Sequence, residues 1–248
     1  DLMAHPDPER WSREVVASLL PWQPVIDGDL VPGRPADLAA AGASADVDVI
    51  VGSNADDWRL FVVLNGSLSR VTDDVLAGPV SQFGFESAAA YGLPDGGLDA
   101  YRAANPGASP GDLLAIIETD WWCRIPALRL AEAHAPARSA TFMYEFAWGS
   151  PVFGGMFGAC HALEIPFVFD TLDLGPAQMQ GSLLGDAPPQ AIADAMHRAW
   201  VAFAATGDPG WPCYDADRRA TMRFDTVSGV VDDPRAFERE LWADTLRW

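Results

Sequence analysis

Apolar residues recur along this chain in two rhythms, a helical spacing of three to four and short β-branched runs, and the two alternate. Residues 8–20 carry Trp11, Val15 and Leu19 at intervals of four, which predicts an amphipathic helix. The Pro- and Gly-rich residues 21–35 predict an ordered loop with sharp turns. Residues 46–51 alternate at first and then become wholly apolar (Val49, Ile50, Val51) before Gly52. That pattern predicts a strand buried on both faces at its end, as in a parallel sheet.

A helix-rich stretch follows, to about Ala137. Its clearest member starts at Ser109, with the residue types of an N-cap, Pro110 at the first helical position and Asp112 in the first turn. Ile117, Trp121, Ile125 and Leu128 then mark one apolar face, and Pro126 predicts a kink. Residues 140–147 predict a second strand, and a glycine-rich loop over 149–158 leads into Cys160 and His161. A helix over 190–205 is predicted to stop at Gly207, followed by a short strand at 221–225, the pair Val230 and Val231, and a closing helix over 234–246. Strands alternating with helices define the α/β class. Two or three convincing strands are few for a sheet covered by helices on both faces, so an incomplete, mostly parallel sheet is expected.

The formal charge of −19, with arginine as the only basic side chain besides histidine, disfavours nucleic acid and anionic membrane surfaces as partners. No apolar run reaches the length needed to span a bilayer. Cys123, Cys160 and Cys213 form neither a zinc-type pairing nor a disulfide framework, which suits a reducing, cytoplasmic compartment. The first residue is Asp1 rather than Met, so the natural start is expected elsewhere.

Among the four histidines, His5, His134 and His197 read as solvated side chains. His161 follows the glycine-rich loop and precedes Ile165-Pro166-Phe167-Val168-Phe169, where either a general base or a structural histidine fits. A base of this kind needs an acid to fix its tautomer. Asp56 and Asp57, just after the first strand, are the local candidates, and with Asn54 they are also candidates to cap the following helix.

Gly52-Ser53-Asn54-Ala55-Asp56-Asp57 resembles the Gly-Thr-Asn-x-Asp-Glu-Gly segment of type B carboxylesterases, the cholinesterase-like branch of the α/β-hydrolases. Residues 158–169, from Gly158 through His161, Glu164 and Pro166 to Phe169, resemble that family's Gly-x-x-His-x-x-Glu-(Ile/Leu)-Pro-Phe-Val-Phe segment. Further likenesses run from Pro24-Val25-Ile26-Asp27-Gly28 to Thr221-Met222 with Phe224, so the resemblance covers nearly the whole chain, 1–248, as one C-terminal segment of a catalytic domain. It implies that His161 is the base of a Ser-acid-His triad, Asp57 its acid, and Glu164 a buried supporting carboxylate. Leu60 and Phe61 would line the acyl side of a pocket for a small-molecule carboxylic ester. No cofactor and no metal are implied. The chain departs from the family in having Asp57 for the usual Glu and Trp58 for the usual Gly.

The triad serine belongs upstream of the acid, on a Gly-x-Ser-x-Gly elbow between strand and helix. The pattern occurs here at Gly107-Ala108-Ser109-Pro110-Gly111, but after the acid, with no strand before it and with Ser109 already explained as a cap. Phe153-Gly154-Gly155 is likewise in the wrong order for an oxyanion-hole loop. The serine is therefore expected in an upstream N-terminal half of the same protein, and the chain alone is expected to be inactive. Two other readings stay open: a non-catalytic interaction protein keeping an esterase-like fold, and a metal site at Cys160, His161 and Glu164, which lacks a recognised zinc spacing.

Overall fold

The structure, a computed structural model, describes Glu9 and residues 24–78, 87–175 and 178–244. Apart from Glu9, the helix expected over residues 8–20 lies outside the described residues. Four strands form one sheet in the order β1-β2-β3-β4, with β1 at Val49–Asn54, β2 at Thr141–Phe146, β3 at Ala220–Phe224 and β4 at Gly229–Asp232. The first three run parallel and β4 returns antiparallel to β3, so the sheet is open, mixed and mostly parallel.

β2 sits between β1 and β3 and is covered on both faces, as parallel strands generally are. Side chains alternate across a strand. Phe142 and Phe146 accordingly join a core with Phe167, Met196 and Trp211, under the helix Gln190–Thr206. Met143 points the other way, into a core with Ile117, Trp121 and Ile125. Burying aromatics such as Phe146 and Phe167 contributes roughly 1.5–3 kcal/mol each. The 17-residue helix ends as expected at Gly207, in the left-handed conformation of a helix stop.

β1 runs on past its expected end at Gly52. Gly52, Ser53 and Asn54 pair in register with Tyr144, Glu145 and Phe146, although their intrinsic strand preference is low. A β-carbon at position 52 would collide with the Tyr144 carbonyl oxygen and ring, so glycine is what lets the strands approach here. The strand's first four residues are half-buried and only Ser53 and Asn54 are buried. Among the described residues β1 has no strand on its other side.

The central helix runs as Pro110–Thr119, a π turn at Asp120–Arg124, and Ile125–His134. Ser109 opens it with a reciprocal capping box to Asp112. The predicted kink takes the form of the π turn, just before Pro126, whose missing N–H cannot complete an α-helical bond. The expected apolar face of Ile117, Trp121, Ile125 and Leu128 is buried. Within the π turn Asp120 is 0% exposed and fully paired, accepting from Arg124 Nε at 2.5 Å and Tyr101 Oη at 2.5 Å, with Arg235 at 3.3 Å. Arg235 adjoins the closing helix, which spans Ala236–Leu241 rather than 234–246.

His134 is not solvated. It is 1% exposed, with Nδ1 2.7 Å from Thr141 Oγ1 and Nε2 3.0 Å from the Ser44 carbonyl oxygen. The ring bridges the helix end, the start of β2 and the loop before β1. His197, by contrast, is exposed. Among the described residues no helix is long and apolar enough to cross a membrane.

Candidate active site

Parallel pairing of β1 with β2 brings both strands' carboxyl ends to one edge, where ligand and catalytic groups of α/β sheets gather. The chain leaves β1 through a tight turn carrying Asp56 and Asp57. It leaves β2 through the glycine-rich loop and returns to that turn at residues 158–161. Main chain ties the two segments together. Asp56 N–H donates to the Ala159 carbonyl at 3.1 Å, and His161 N–H donates to the Asp57 carbonyl at 3.0 Å.

Side chains add to this seam. Asp56 Oδ2 accepts from Ala159 N–H at 2.9 Å. Asn54 Nδ2 donates to the Cys160 carbonyl at 2.8 Å and to Glu164 Oε2 at 2.5 Å. Neither acid caps the following helix Arg59–Leu64, where Trp58 occupies the cap position without a side-chain bond. Their oxygens are turned instead toward the histidine segment and the end of β1. Gly158 sits at φ +56°, and a β-carbon there would run into the Asp56 carboxylate. Ala162, beside the histidine, is held at φ 63°, a conformation that costs a non-glycine residue roughly 1–2 kcal/mol.

Asp57 is 5% exposed. Its Oδ2 accepts the Asn54 N–H at 2.9 Å and its Oδ1 lies 2.9 Å from His161 Nδ1. A carboxylate accepts, so Nδ1 carries the proton and Nε2 is the nitrogen left to take one. The His161 side chain is 46% exposed, which leaves it reachable from outside. Its pKa is raised, first by the hydrogen bond to Asp57, against the pull of partial burial. The Glu164 pKa is also raised, chiefly by burial, with the Asn54 bond opposing. Burial likewise pushes the Cys160 thiol up to about 12, which keeps it protonated and unreactive.

Leu60 is buried in the core with Phe146 and Phe167, whereas Phe61 is exposed and its ring centroid lies 5.5 Å from that of His161. Aromatic contacts continue outward from Phe61 to Trp58 at 4.7 Å and from Trp58 to Trp122 at 5.2 Å. Trp58, the departure from the family pattern, thus has a partner on the π turn, far away in sequence. Nothing local marked Trp122 as belonging here. Ser109 hydroxyl is taken up by Asp112 at 2.6 Å as part of its cap. Among the described residues no three His, Cys, Asp or Glu side chains form a group able to hold a metal ion.

An α/β-hydrolase sheet with an acid and a histidine joined across adjacent strand ends defines the class, and the carboxylesterase family model matches residues 9–236. The chain belongs to the carboxylesterase family. It is 26% identical to para-nitrobenzyl esterase of Bacillus subtilis (strain 168), over 97% of this chain and 47% of that protein. It is 28% identical to phenmedipham hydrolase of Pseudarthrobacter oxydans, over 82% of this chain and 40% of the other. A solved carboxylesterase of Geobacillus stearothermophilus superposes with a TM-score of 0.71 at 29% identity, covering 95% of this chain and 50% of that one. The chain therefore spans about half the length of the relatives it matches, or less.

Proposed function

We propose that this chain supplies the acid and base of a serine carboxylesterase whose nucleophile lies upstream. The observation that carries the reading is the contact of 2.9 Å between Asp57 Oδ1 and His161 Nδ1, with the ring half-exposed. Membership of the carboxylesterase family and the esterase and hydrolase names of the relatives support it.

In this mechanism Asp57 holds the imidazole with Nε2 directed outward and stabilises the imidazolium. Nε2 takes the proton of the upstream serine hydroxyl as its oxygen attacks the ester carbonyl. The same proton passes to the departing alcohol as the tetrahedral intermediate collapses to an acyl-serine. Water, deprotonated by His161 in turn, releases the acid and regenerates the serine. The substrate is a small-molecule carboxylic ester, and Phe61, beside the imidazole, would line the pocket. Leu60 would support that wall from beneath. Glu164, held by Asn54, keeps the histidine segment against β1. No cofactor takes part.

The test is labelling with a fluorophosphonate, which reports an activated serine. The chain alone should not label, and joining it to the upstream half should give labelling that His161→Ala abolishes. Labelling of the isolated chain at Ser109 would overturn the proposal, as would undiminished labelling of the joined His161→Ala protein.

A further inference from the structure

We propose that Thr119, the last residue of the helix Pro110–Thr119, is a positioning residue for the acid, fixing the peptide plane from which the Asp57 carboxylate extends. The inference rests on the Asp57–His161 reading above and adds to it a residue from a different part of the chain.

One peptide unit links Asp57 to Trp58, and it is held at both ends. Its carbonyl oxygen accepts the His161 N–H at 3.0 Å, and its N–H donates to Thr119 Oγ1 at 3.0 Å. A trans peptide is planar and stiff, so two opposed bonds leave it little freedom to rotate. That plane anchors the Asp57 Cα, and the carboxylate is then oriented by the Asn54 N–H on Oδ2 and by His161 Nδ1 at Oδ1. The following helix offers that N–H no acceptor, because Trp58 is its cap residue and the first N–H groups of a helix have no intrahelical partner. Thr119 is 1% exposed, so water cannot readily replace its hydroxyl.

The π turn after Thr119 serves the same contact. It rests Trp122 on Trp58 at 5.2 Å and brings the Cys123 thiol under the influence of the Asp57 charge. Burial first, then the charge of Asp57, push the Cys123 thiol far above the usual range, so it stays protonated. The Asp57 turn is thus gripped by the histidine segment on one side and by residues 119–123 on the other. π turns are often found at functional sites, where an inserted residue redirects side chains.

The experiment is an NMR titration of His161 in the full chain, unmutated and as Thr119→Val, Thr119→Ser and Asp57→Asn. Valine keeps the shape of threonine and removes the acceptor; serine keeps the acceptor. Thr119→Val is expected to weaken proton binding at His161, moving its midpoint down toward the ordinary value, and Thr119→Ser to retain the unmutated midpoint. An unmoved midpoint in a Thr119→Val protein that merely melts earlier would reduce Thr119 to a packing role and overturn the proposal. A midpoint indifferent to Asp57→Asn would remove the acid–base reading first, and this inference with it. If Thr119→Val does not fold, amide hydrogen exchange on the unmutated chain decides: Trp58 N–H must be protected as strongly as His161 N–H, and fast exchange at Trp58 alone refutes the anchor.

Discussion

Asp57 meets His161 through both its side chain and its main chain: Oδ1 lies 2.9 Å from Nδ1, and the Asp57 carbonyl accepts the His161 N–H at 3.0 Å. Ring orientation and loop position are therefore set by the same residue. An aspartate side chain is one methylene shorter than the glutamate usual in the family, and the main-chain bond supplies the closer approach that the shorter side chain requires.

The first prediction concerns that pair. His161 is expected to titrate above the ordinary histidine value because of its bond to Asp57. A basic group whose folded pKa is raised stabilises the fold most when protonated. Its contribution is fully present below the unfolded pKa and is lost as pH rises through the folded one. Denaturation of unmutated and Asp57→Asn proteins across this range should show the stability gap closing toward alkaline pH; a gap that widens there would contradict the assignment.

Glu164 gives a second pH signature. Burial raises its pKa, so the folded state favours the protonated carboxyl. That stability is present below the unfolded pKa and fades as pH rises through the folded value. Glu164→Gln keeps an acceptor for Asn54 and removes the titration, so its melting profile should be flatter than the unmutated one between the unfolded and folded values. Parallel profiles would show that the carboxylate is not destabilised by burial. Asn54→Ala, which removes the bonds to Cys160 and Glu164, should cost about 1–3 kcal/mol.

Two glycines separate backbone strain from crowding. Gly158 and Gly92 both have positive φ, +56° and +72°, but only Gly158 faces an obstacle, the Asp56 carboxylate. Gly92→Ala should cost about 1–2 kcal/mol from its conformation alone. Gly158→Ala should cost more and also shift the His161 resonance. Equal losses in thermal melts would mean that the Asp56 contact yields freely.

Ser109 provides a control for the proposed upstream nucleophile. Ser109→Ala should lower stability by about 0.5–2 kcal/mol through loss of the capping box, and should leave fluorophosphonate labelling of the joined protein intact. Loss of labelling without loss of stability would reverse the assignment.

Much of this was legible locally. The cap at Ser109, the apolar face from Ile117 to Leu128, β2 and the stop at Gly207 each depend on neighbours a few residues apart, and the structure agrees with them. The histidine and acid segments were legible because their residue patterns resemble a family. What escaped depends on partners distant in sequence. β1 extends to Asn54 because β2 pairs with it, against the preferences of Gly52, Ser53 and Asn54. His134 looked like a surface residue until Thr141 and Ser44 supplied its two bonds. Asp56 looked like a helix cap, and its role as acceptor for Ala159 N–H required the loop to return. Thr119 carries no local sign of its contact with Trp58.

The in-step pairing of Asn54 with Phe146 makes the distance between Asp57 and His161 a vernier of two strands. Strand residues alternate faces, so deleting one residue from β1 would do more than shorten a lever: it would turn Asn54 and the approach to Asp57 toward the opposite side of the sheet. Added length at an open surface turn such as 92–96 should leave that alignment untouched. Tolerance to insertion and deletion is thus partitioned by topology rather than by closeness in sequence, and a scan of single-residue deletions through 49–54 and 92–96, read by the His161 resonance, would map the boundary.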